Sequence, residues 1–319
     1  MRILVTGGAG FIGSNVARRL ATSDDVTEVI ALDDLSTGLA SNLDGVDHEA
    51  NDKVRFVVGS ILDAELVNEL MRGTTAVVHL GARPSVPRSI DDPMASHRVN
   101  VDGTLTILEA ARAQRTKPHI VFSSSSSVYG ANTTLPKHED LATLPRSPYA
   151  ASKLAGESYL LAYQDSFGVP ALAFRFFNVF GPYQQPGHAY APVIPMFFHA
   201  ALTGEPVPIH GDGLQTRDFT YVGTVADVIT RAVVRRIVSS TPVNLAFGTR
   251  YSLLDVLTKI EQMIGHRVTR AHLPIRAGDV RDTQAANDRL CALFPDVVPI
   301  DLDAGLAATL EWMRAWLDQ

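Results

Sequence analysis

Tyr149 and Lys153 stand four residues apart in the sequence Tyr-Ala-Ala-Ser-Lys, a spacing that places both side chains on one face of a helix. An isolated tyrosine, with a pKa of about 10, is a poor base at neutral pH, but adjacent positive charge favours its phenolate. The pair could therefore take a proton from a hydroxyl group. The same spacing is common on exposed helical faces. The surrounding elements must therefore show whether the pair is catalytic or merely exposed to solvent.

The segments around this pair predict a helix and a strand that would position it. Ser147 is a suitable N-cap and Pro148 a first-turn proline, and Gly168 marks the end of the same helix. Upstream, the predicted strand His119-Ile120-Val121-Phe122 leads into five serines, residues 123–127. Ligands bind open α/β sheets at the C-terminal ends of strands. The serine run therefore predicts a ligand-facing strand end rather than a flexible linker.

The first 34 residues have the order strand, glycine-rich turn, helix, strand and acid. Apolar residues 2–6 precede Gly7-Gly8-Ala9-Gly10-Phe11-Ile12-Gly13, and a second apolar run ends at Asp33, 20 residues after Gly13. Such a turn lets the backbone approach a pyrophosphate at a helix N-terminus, and the acid would bind ribose hydroxyls. Asp34 adds a charge that would repel a 2′-phosphate. The pattern predicts NAD rather than NADP.

The order of elements predicts an α/β fold, a Rossmann-type doubly wound parallel sheet with a smaller C-terminal α/β substrate-binding domain. Strands alternate with helices up to about residue 176, and residues 93–113 predict one long amphipathic helix. Beyond that point short strands mix with helices. We therefore predict an NAD-binding domain over residues 1–176 and a substrate domain over residues 177–319, with some later segments returning to the first domain.

Composition narrows the classes of partner. The chain of 319 residues has 28 Lys and Arg against 34 Asp and Glu, a formal net charge of −6, and no basic block. This argues against nucleic acid or an anionic membrane as a partner. The single cysteine, Cys291, allows no intramolecular disulfide and no cysteine-based metal cluster, and we predict no metal site. Without a signal-peptide pattern or a membrane-spanning apolar run, the sequence predicts a cytoplasmic protein.

Over essentially its whole length the sequence resembles the extended short-chain dehydrogenase/reductase superfamily and, within it, the UDP-sugar 4-epimerases. Besides the glycine turn, Asp33 and the tyrosine–lysine pair, the matching segments are Gly81-Ala82, Asn100-Val101-Asp102-Gly103-Thr104, Phe122-Ser123-Ser124-Ser125, Arg175-Phe176-Phe177-Asn178, Arg217-Asp218-Phe219 and Arg276-Ala277-Gly278-Asp279. The resemblance implies an NAD-dependent isomerase that interconverts UDP-glucose and UDP-galactose through a 4-keto intermediate.

The resemblance also implies roles for individual residues. Tyr149 would be the base, Ser125 would supply a catalytic hydroxyl, and Lys153 would contact the nicotinamide ribose. The implied cofactor-binding residues are Gly7, Gly10, Phe11, Ile12, Gly13, Asp33, Asp34, Ser60, Ile61, Leu80, Gly81, Ala82, Asn100, Ser123, Tyr149, Lys153 and Phe176. The implied substrate-binding residues are Ser85, Ser125, Tyr149, Asn178, Val193, His210, Arg217, Arg276, Asp279 and Thr283. Among them, Arg217 and Arg276 would hold the UDP pyrophosphate, since guanidinium groups pair bidentately with phosphate oxygens.

Three positions bear on specificity. In the family, the position of Thr283 lies beside the C2 substituent of the sugar, where a small residue leaves room for an N-acetyl group. We therefore expect UDP-N-acetylglucosamine and UDP-N-acetylgalactosamine to be interconverted as well. Ser60 stands where the family usually has an aspartate for the adenine amino group, which leaves that contact to Asp63 or to the Ile61 backbone. Pro84 occupies a variable loop that often carries a polar or small residue near the sugar.

Alternatives stay open at this point. A nucleotide-sugar 4,6-dehydratase begins with the same oxidation at C4, but that branch carries a carboxylate pair directly before Val-Tyr-Gly, where this chain has Ser126 and Ser127. A UDP-uronic acid 4-epimerase would have a similar serine strand. An NAD-sensing regulator would be expected to lack Tyr149 or Lys153. By analogy with the family we also predict a homodimer formed through residues 93–113 and 148–167.

Overall fold

A parallel sheet of seven strands forms the centre of the protein. The computed structural model describes residues 1–45, 53–186, 192–274 and 281–318. Its strands are β1 (Arg2–Thr6), β2 (Glu28–Asp33), β3 (Val54–Val58), β4 (Ala76–His79), β5 (His119–Ser125), β6 (Ala171–Phe176), β7 (Asn178–Phe180), β8 (Val207–His210), β9 (Thr216–Arg217), β10 (Phe219–Tyr221), β11 (Val243–Leu245), β12 (Tyr251–Ser252) and β13 (Arg270–Leu273). The order in the large sheet is β11-β6-β5-β4-β1-β2-β3.

Helices cover both faces of this sheet. They are α1 (Phe11–Ala21), α2 (Ala64–Met71), α3 (Val86–Asp91), α4 (Pro93–His97), α5 (Gly103–Arg112), α6 (Pro148–Phe167), α7 (Val193–Thr203), α8 (Val222–Val234), α9 (Leu253–Ile264), α10 (Asp288–Leu293) and α11 (Leu302–Leu317). Short 3₁₀ turns occupy Ala40–Leu43 and Ser126–Tyr129. In the part of the chain that is described, no helix is both long and apolar enough to cross a lipid bilayer.

The central strands are largely apolar because both faces of the sheet are buried. Val5 and Val78 belong to one core, which includes side chains of α1 and α8. Their neighbours Leu4 and Val77 belong to a second core on the opposite face, with side chains of α2 and α5. Successive residues of a strand point to opposite faces, so a single apolar run supplies both cores. The predicted doubly wound α/β fold is confirmed.

The C-terminal part has its own core but also extends the large sheet. Helices α7, α9 and α11 pack around a separate apolar cluster with β8. The small sheets are two-stranded, with β7 beside β10, β8 beside β13 and β9 beside β12. From the same part of the chain, β11 pairs in parallel with β6, and α8 packs against α1. The chain therefore crosses back to the first sheet after building the walls of a second compartment.

The long helix predicted for residues 93–113 is present but irregular. Within it α4 is followed by a π-helical turn, Arg98–Asp102, and then by α5. The side chain of Asn100 explains the extra residue in this turn, because it is drawn out to Ser152 and to the backbone of Arg83. Insertions of this kind occur often at functional sites, and hydropathy alone does not reveal them. The predicted helix is therefore present, and the π turn within it was not predicted.

Candidate active site

Two joined cavities lie at the C-terminal edge of the large sheet. The first, of about 420 Å³, is lined by Gly7, Gly10, Phe11, Ile12, Gly13, Leu32, Asp33, Asp34, Ser36, Thr37, Gly59, Ile61, Leu80, Gly81, Ala82, Pro84, Val99, Ser123, Ser124, Ser125, Tyr149, Lys153 and Phe176, with Phe177, Val179, Gln184 and Pro192 at its far end. The second, of about 360 Å³, shares those last four residues. Two elongated ligands, one in each cavity, could therefore meet end to end at the shared residues.

The glycine turn is packed so closely that side chains cannot replace its key glycines. Gly7 has φ 69°, and a Cβ there would lie 2.9 Å from the Gly81 nitrogen. A Cβ on Gly13 would lie 1.9 Å from the Gly7 oxygen. Gly10, the N-cap residue of α1, offers no capping side chain, and the residues of the first turn line the cavity. The helix N-terminus is therefore left for an anionic group such as a diphosphate.

Asp33 is held rigidly at the end of β2. Its Oδ2 accepts a hydrogen bond from the Ala9 backbone at 3.0 Å, and its Oδ1 accepts one from the Leu35 backbone at 2.9 Å. Burial raises the pKa of Asp33, and the two backbone donors oppose that rise. Asp34 is exposed but also lines the cavity. The acid is thus fixed by the same turn that would hold the diphosphate, with lone pairs left for ribose hydroxyls.

The adenine end of the cavity differs from the expectation for Ser60. Gly59 and Ile61 line it, whereas the Ser60 hydroxyl accepts a hydrogen bond from the Leu62 backbone at 3.2 Å. Asp63, the suggested substitute, is also engaged, because its carboxylate caps α2 through the backbone N–H groups of Glu65 and Leu66. Of Ser60, Asp63 and Ile61, the three residues considered for the adenine contact, Ile61 is the one that lines the cavity.

The catalytic candidates meet where β5 and α6 face each other. Lys153 donates a hydrogen bond to the Ser123 carbonyl at 2.8 Å, and Ser125 lies close enough to the Tyr149 phenol to lower its pKa. Ser125 Oγ itself accepts from the backbone and the hydroxyl of Ser127, at 3.2 and 2.9 Å. Since both of these bonds are donated to Ser125, its own proton is left available to the nearby Tyr149 phenol. The order Ser127, Ser125, Tyr149 therefore allows a chain in which each hydroxyl donates to the next.

Burial sets the charge states of this pair. It lowers the pKa of Lys153 to about 8, which leaves the ammonium largely protonated at pH 7. Burial also raises the pKa of Tyr149, and the bond from Ser125 works in the opposite direction. The sequence predicted that the neighbouring ammonium would favour the phenolate. In the protein alone desolvation is the largest influence on the pKa of Tyr149, so deprotonation depends on further positive charge in the cavity and on the hydroxyl chain.

Ser127→Ala should slow turnover about five- to tenfold, because it removes one neutral hydrogen bond from the chain that stabilises the phenolate, worth ~1 kcal/mol. The pKa of Tyr149 should rise, so the acid limb of the pH–rate profile should move to higher pH. Steady-state rates across pH measure both effects. Ser126→Ala is the matched control, because Ser126 lies beside this chain and outside it. An unshifted profile in Ser127→Ala would contradict the proposed direction of the chain.

The second cavity contains four of the residues expected at the substrate: Asn178, Val193, His210 and Arg217. Its remaining walls are Phe180, Ile194, Met196, Pro208, Gln215, Phe219 and Leu253, together with the four shared residues. Arg217 reaches the carbonyls of Thr216 and Arg281, both at 2.9 Å. Among the described lining residues of both cavities the carboxylates are Asp33 and Asp34, at the opposite end from Tyr149. No group of three or more His, Cys, Asp or Glu in the described chain could hold a metal ion.

Besides Ser60, three expected contact residues are absent from the described cavity walls, each for a local reason. Ser85, at φ 96°, caps α3 by accepting from the Arg88 backbone at 3.4 Å. Asn100 is buried between α6 and the chain after β4. Thr283 stands behind Asn178, because its hydroxyl accepts from the Asn178 amide at 3.2 Å. Arg276 and Asp279 lie outside the described residues.

Behind the serine strand lies a buried ion pair that the sequence reading missed. Arg175 binds Glu157 through two hydrogen bonds, of 3.0 and 2.6 Å, and Ser124 donates to the same carboxylate at 2.6 Å. The signal was present, because Glu157 continues the spacing of Tyr149 and Lys153 along one face of α6. Because Glu157 of α6 is hydrogen-bonded to a side chain of β5 and to one of β6, it fixes the position of the serine strand relative to the catalytic helix.

Gln184 is a second residue that the sequence reading missed, and it faces both cavities. Its Nε2 donates to the Val179 carbonyl at 3.1 Å, which orients the amide because a carbonyl can only accept. The Oε1 atom is buried and has no hydrogen-bond partner within the described structure. Such an acceptor is costly unless a ligand N–H or O–H satisfies it. Together with the glycine turn and Asp33, this atom fits a bound dinucleotide and a polar substrate.

Comparison with known proteins agrees with this geometry. The UDP-glucose 4-epimerase of Mycolicibacterium smegmatis is 38% identical over 315 residues, 98% of this chain and 99% of that protein. A solved UDP-N-acetylglucosamine 4-epimerase of Methanobrevibacter ruminantium superposes with TM-score 0.91 at 32% identity, covering 99% of this chain and 98% of the other. A dTDP-glucose 4,6-dehydratase of Streptomyces venezuelae, solved with NAD, gives 0.88 at 30% identity, covering 99% and 97%.

The family assignment follows from the same regions that build the first cavity. Residues 3–246 match the model of the family described as NAD dependent epimerase/dehydratase, a span that includes the glycine turn, the serine strand and the tyrosine–lysine pair. The resemblance seen in the sequence and the expected cofactor, NAD, are both confirmed at this level. The chain belongs to the NAD dependent epimerase/dehydratase family.

Proposed function

We propose that this protein is a 4-epimerase of UDP-hexoses. The observation that carries the proposal is the composition of the catalytic end of the cavity, where Tyr149 meets hydroxyl groups and an ammonium but no carboxylate among the described residues. Oxidation at C4 needs one base, whereas elimination of water also needs an acid and base at C5 and C6. The carboxylates that line the cavity, Asp33 and Asp34, stand at the adenosine end.

When bound, NAD would supply the hydride acceptor and donor for C4 of the sugar. The glycine turn would hold its diphosphate, Asp33 its adenosine ribose and Lys153 its nicotinamide ribose. Tyr149 would take the proton of the C4 hydroxyl, and Ser125 would orient that hydroxyl and stabilise the phenolate. On return, the same tyrosine would give the proton back to the C4 oxygen.

The second cavity suits the nucleotide half of the substrate. Arg217 places a guanidinium beside Asn178 and His210, a set able to bind phosphate oxygens. The apolar walls, including Phe219 and Leu253, suit the flat face of a base. Residues 177–319, which supply most of these walls, are thus the proposed substrate domain. The pyrophosphate would stay anchored there while the 4-keto sugar turns over.

A panel of nucleotide sugars tests the proposal. The purified protein is incubated separately with UDP-glucose, UDP-N-acetylglucosamine, UDP-glucuronic acid and dTDP-glucose, and the products are separated chromatographically. Interconversion at C4 of the first two is the expected result. Loss of water from any of them would make the protein a dehydratase, and conversion of the uronic acid alone would assign it to the other class of epimerase. A protein that binds NAD and converts none of them would fit the regulator instead.

We also propose the homodimer predicted from the sequence, formed through residues 93–113 and 148–167. Large apolar side chains are exposed on these helices and on α3 just before them, with Ile90 57%, Met94 63% and Tyr159 42% accessible. Covering such side chains would stabilise a two-fold helix bundle. Multi-angle light scattering at micromolar concentration should give twice the chain mass, and Met94→Glu should shift the protein toward monomer. A wild-type monomer would contradict the proposal.

A further inference from the structure

His79, the last residue of β4, is buried beneath the first cavity. Its Nδ1 lies 2.7 Å from Thr6 Oγ1 and its Nε2 lies 3.0 Å from Thr104 Oγ1, so both ring nitrogens have partners. Burial, helped by the charge of Lys153, lowers the pKa of His79 to about 3. The ring is therefore neutral at physiological pH, and one nitrogen must donate while the other accepts.

The neighbouring bonds determine which nitrogen carries the proton. Thr104 Oγ1 donates its only proton to the Asn100 carbonyl at 2.7 Å, so it must accept from His79 at Nε2. His79 Nδ1 is then bare and accepts the hydroxyl proton of Thr6. Thr6 Oγ1 is in turn free to accept, and it does so from the Gly81 backbone at 3.0 Å. Every donor in this chain has one acceptor, and the histidine tautomer is fixed.

The two arms of this chain end at different parts of the site. Through Thr6, the first arm reaches Gly81, which lines the first cavity and is packed against Gly7. Through Thr104, the second arm reaches the π turn at Asn100.

From that turn the second arm continues to the catalytic helix. The Asn100 amide donates to Ser152 Oγ at 2.9 Å, and Ser152 donates to the Tyr149 carbonyl at 2.8 Å. The ring of His79 also packs on the ring of Phe122, with 5.7 Å between the centroids. The Lys153 ammonium lies over the same Phe122 ring, 5.3 Å from its centroid. One buried ring thus touches the supports of both the cofactor turn and the catalytic pair.

We propose that His79 is a positioning residue with two separable functions, fixing the cofactor-facing turn through Thr6 and the catalytic helix through Thr104. Only the expected effect on turnover rests on the proposed function, because cofactor binding can be measured without any substrate. A residue with a merely structural role would support both parts together. His79 should instead support them independently, since each ring nitrogen serves one of them.

Two substitutions each keep one arm. The amide oxygen of asparagine can occupy the place of Nδ1, and the amide nitrogen of glutamine the place of Nε2. His79→Asn should therefore bind NAD with a dissociation constant within about twofold of wild type, but turn over UDP-sugar about tenfold more slowly when saturated with NAD. His79→Gln should show the reverse, with NAD binding about tenfold weaker and turnover at saturating NAD within about twofold, as expected for one hydrogen bond per arm.

A second buried histidine provides the control. His119 begins β5, opposite Ala76 in the sheet, and its Nε2 donates to the Ile237 carbonyl at 2.8 Å, at the edge of the sheet away from the cavities. His119→Asn and His119→Gln should lower the melting temperature without changing NAD affinity or turnover.

Isothermal titration with NAD, steady-state kinetics and melting curves are recorded for all four variants. If both His79 variants lost affinity and turnover in parallel with stability, as a scaffold residue would, the proposal would be overturned. If wild type bound NAD but converted no UDP-sugar, the proposed function would fail. The role of His79 would then be decided by the NAD affinities of the two His79 variants alone. Equal NAD affinity in His79→Asn and His79→Gln would overturn it.

Discussion

Replacing Tyr149 with phenylalanine should lower the interconversion of UDP-glucose and UDP-galactose about 100-fold or more, while leaving NAD binding nearly unchanged. Phenylalanine keeps the ring that lines the cavity but removes the phenol oxygen, whose pKa Ser125 lowers. General-base catalysis is typically worth 10²- to 10⁴-fold, and no other described lining residue near Lys153 offers a comparable base. The substrate KM should change little, because the phenol acts on the reacting hydroxyl rather than on the nucleotide.

Steady-state kinetics on protein loaded with NAD measures this effect. Tyr159→Phe is the matched control, since Tyr159 lies on the same helix and lines neither cavity. Melting temperatures of both variants show whether the fold is intact. Turnover of Tyr149→Phe within a few-fold of wild type would remove the tyrosine from the mechanism.

Thr283→Tyr should abolish turnover of the N-acetylated UDP-sugars and leave the plain UDP-hexoses largely unaffected. The Thr283 hydroxyl lies against Asn178, a wall of the second cavity, and also accepts from the Asp218 backbone at 3.3 Å. A tyrosine at this position would push its ring past Asn178 into the space beside the sugar. Overfilling a close-packed pocket penalises only the ligand that needs the space.

The comparison is made as a ratio of kcat/KM for the two pairs of sugars, measured on the same preparation. Thr283→Ser is the control, because it keeps the hydroxyl that Asn178 and Asp218 use while removing only a methyl group. Equal losses for both pairs would show that the substitution disturbs the Asn178 support rather than the pocket. Refusal of the acetylated sugars by wild type would also contradict the assignment.

The sequence was sufficient to predict those elements whose structure is determined by a local pattern. The apolar runs of β1 and β2, the glycine spacing between them and the Ser147-Pro148 start of α6 each depend on neighbours within a few residues. The same is true of the serine strand end, because a strand followed by small polar residues ends at the ligand-binding edge of a parallel sheet. These elements place the predicted catalytic residues and most of the cofactor contacts.

The failures involve contacts between distant segments. The π turn in residues 98–102 results from the bonds that Asn100 makes to Ser152 and Arg83, which hydropathy cannot reveal. Ser60 and Ser85 are diverted by local backbone donors, so a family position did not predict where their hydroxyls point. The buried acceptor of Gln184 depends on tertiary packing in the same way.

The fate of the hydrogen at C4 tests the central claim most directly. UDP-galactose carrying deuterium at C4 is incubated with the protein in ordinary water, and the products are analysed by mass spectrometry and NMR. We expect UDP-glucose that retains the deuterium at C4, with unchanged mass, because the same hydrogen leaves and returns within one closed site. A product that has lost water and carries the deuterium at C6, or UDP-glucose in which the deuterium has exchanged with solvent, would contradict the account.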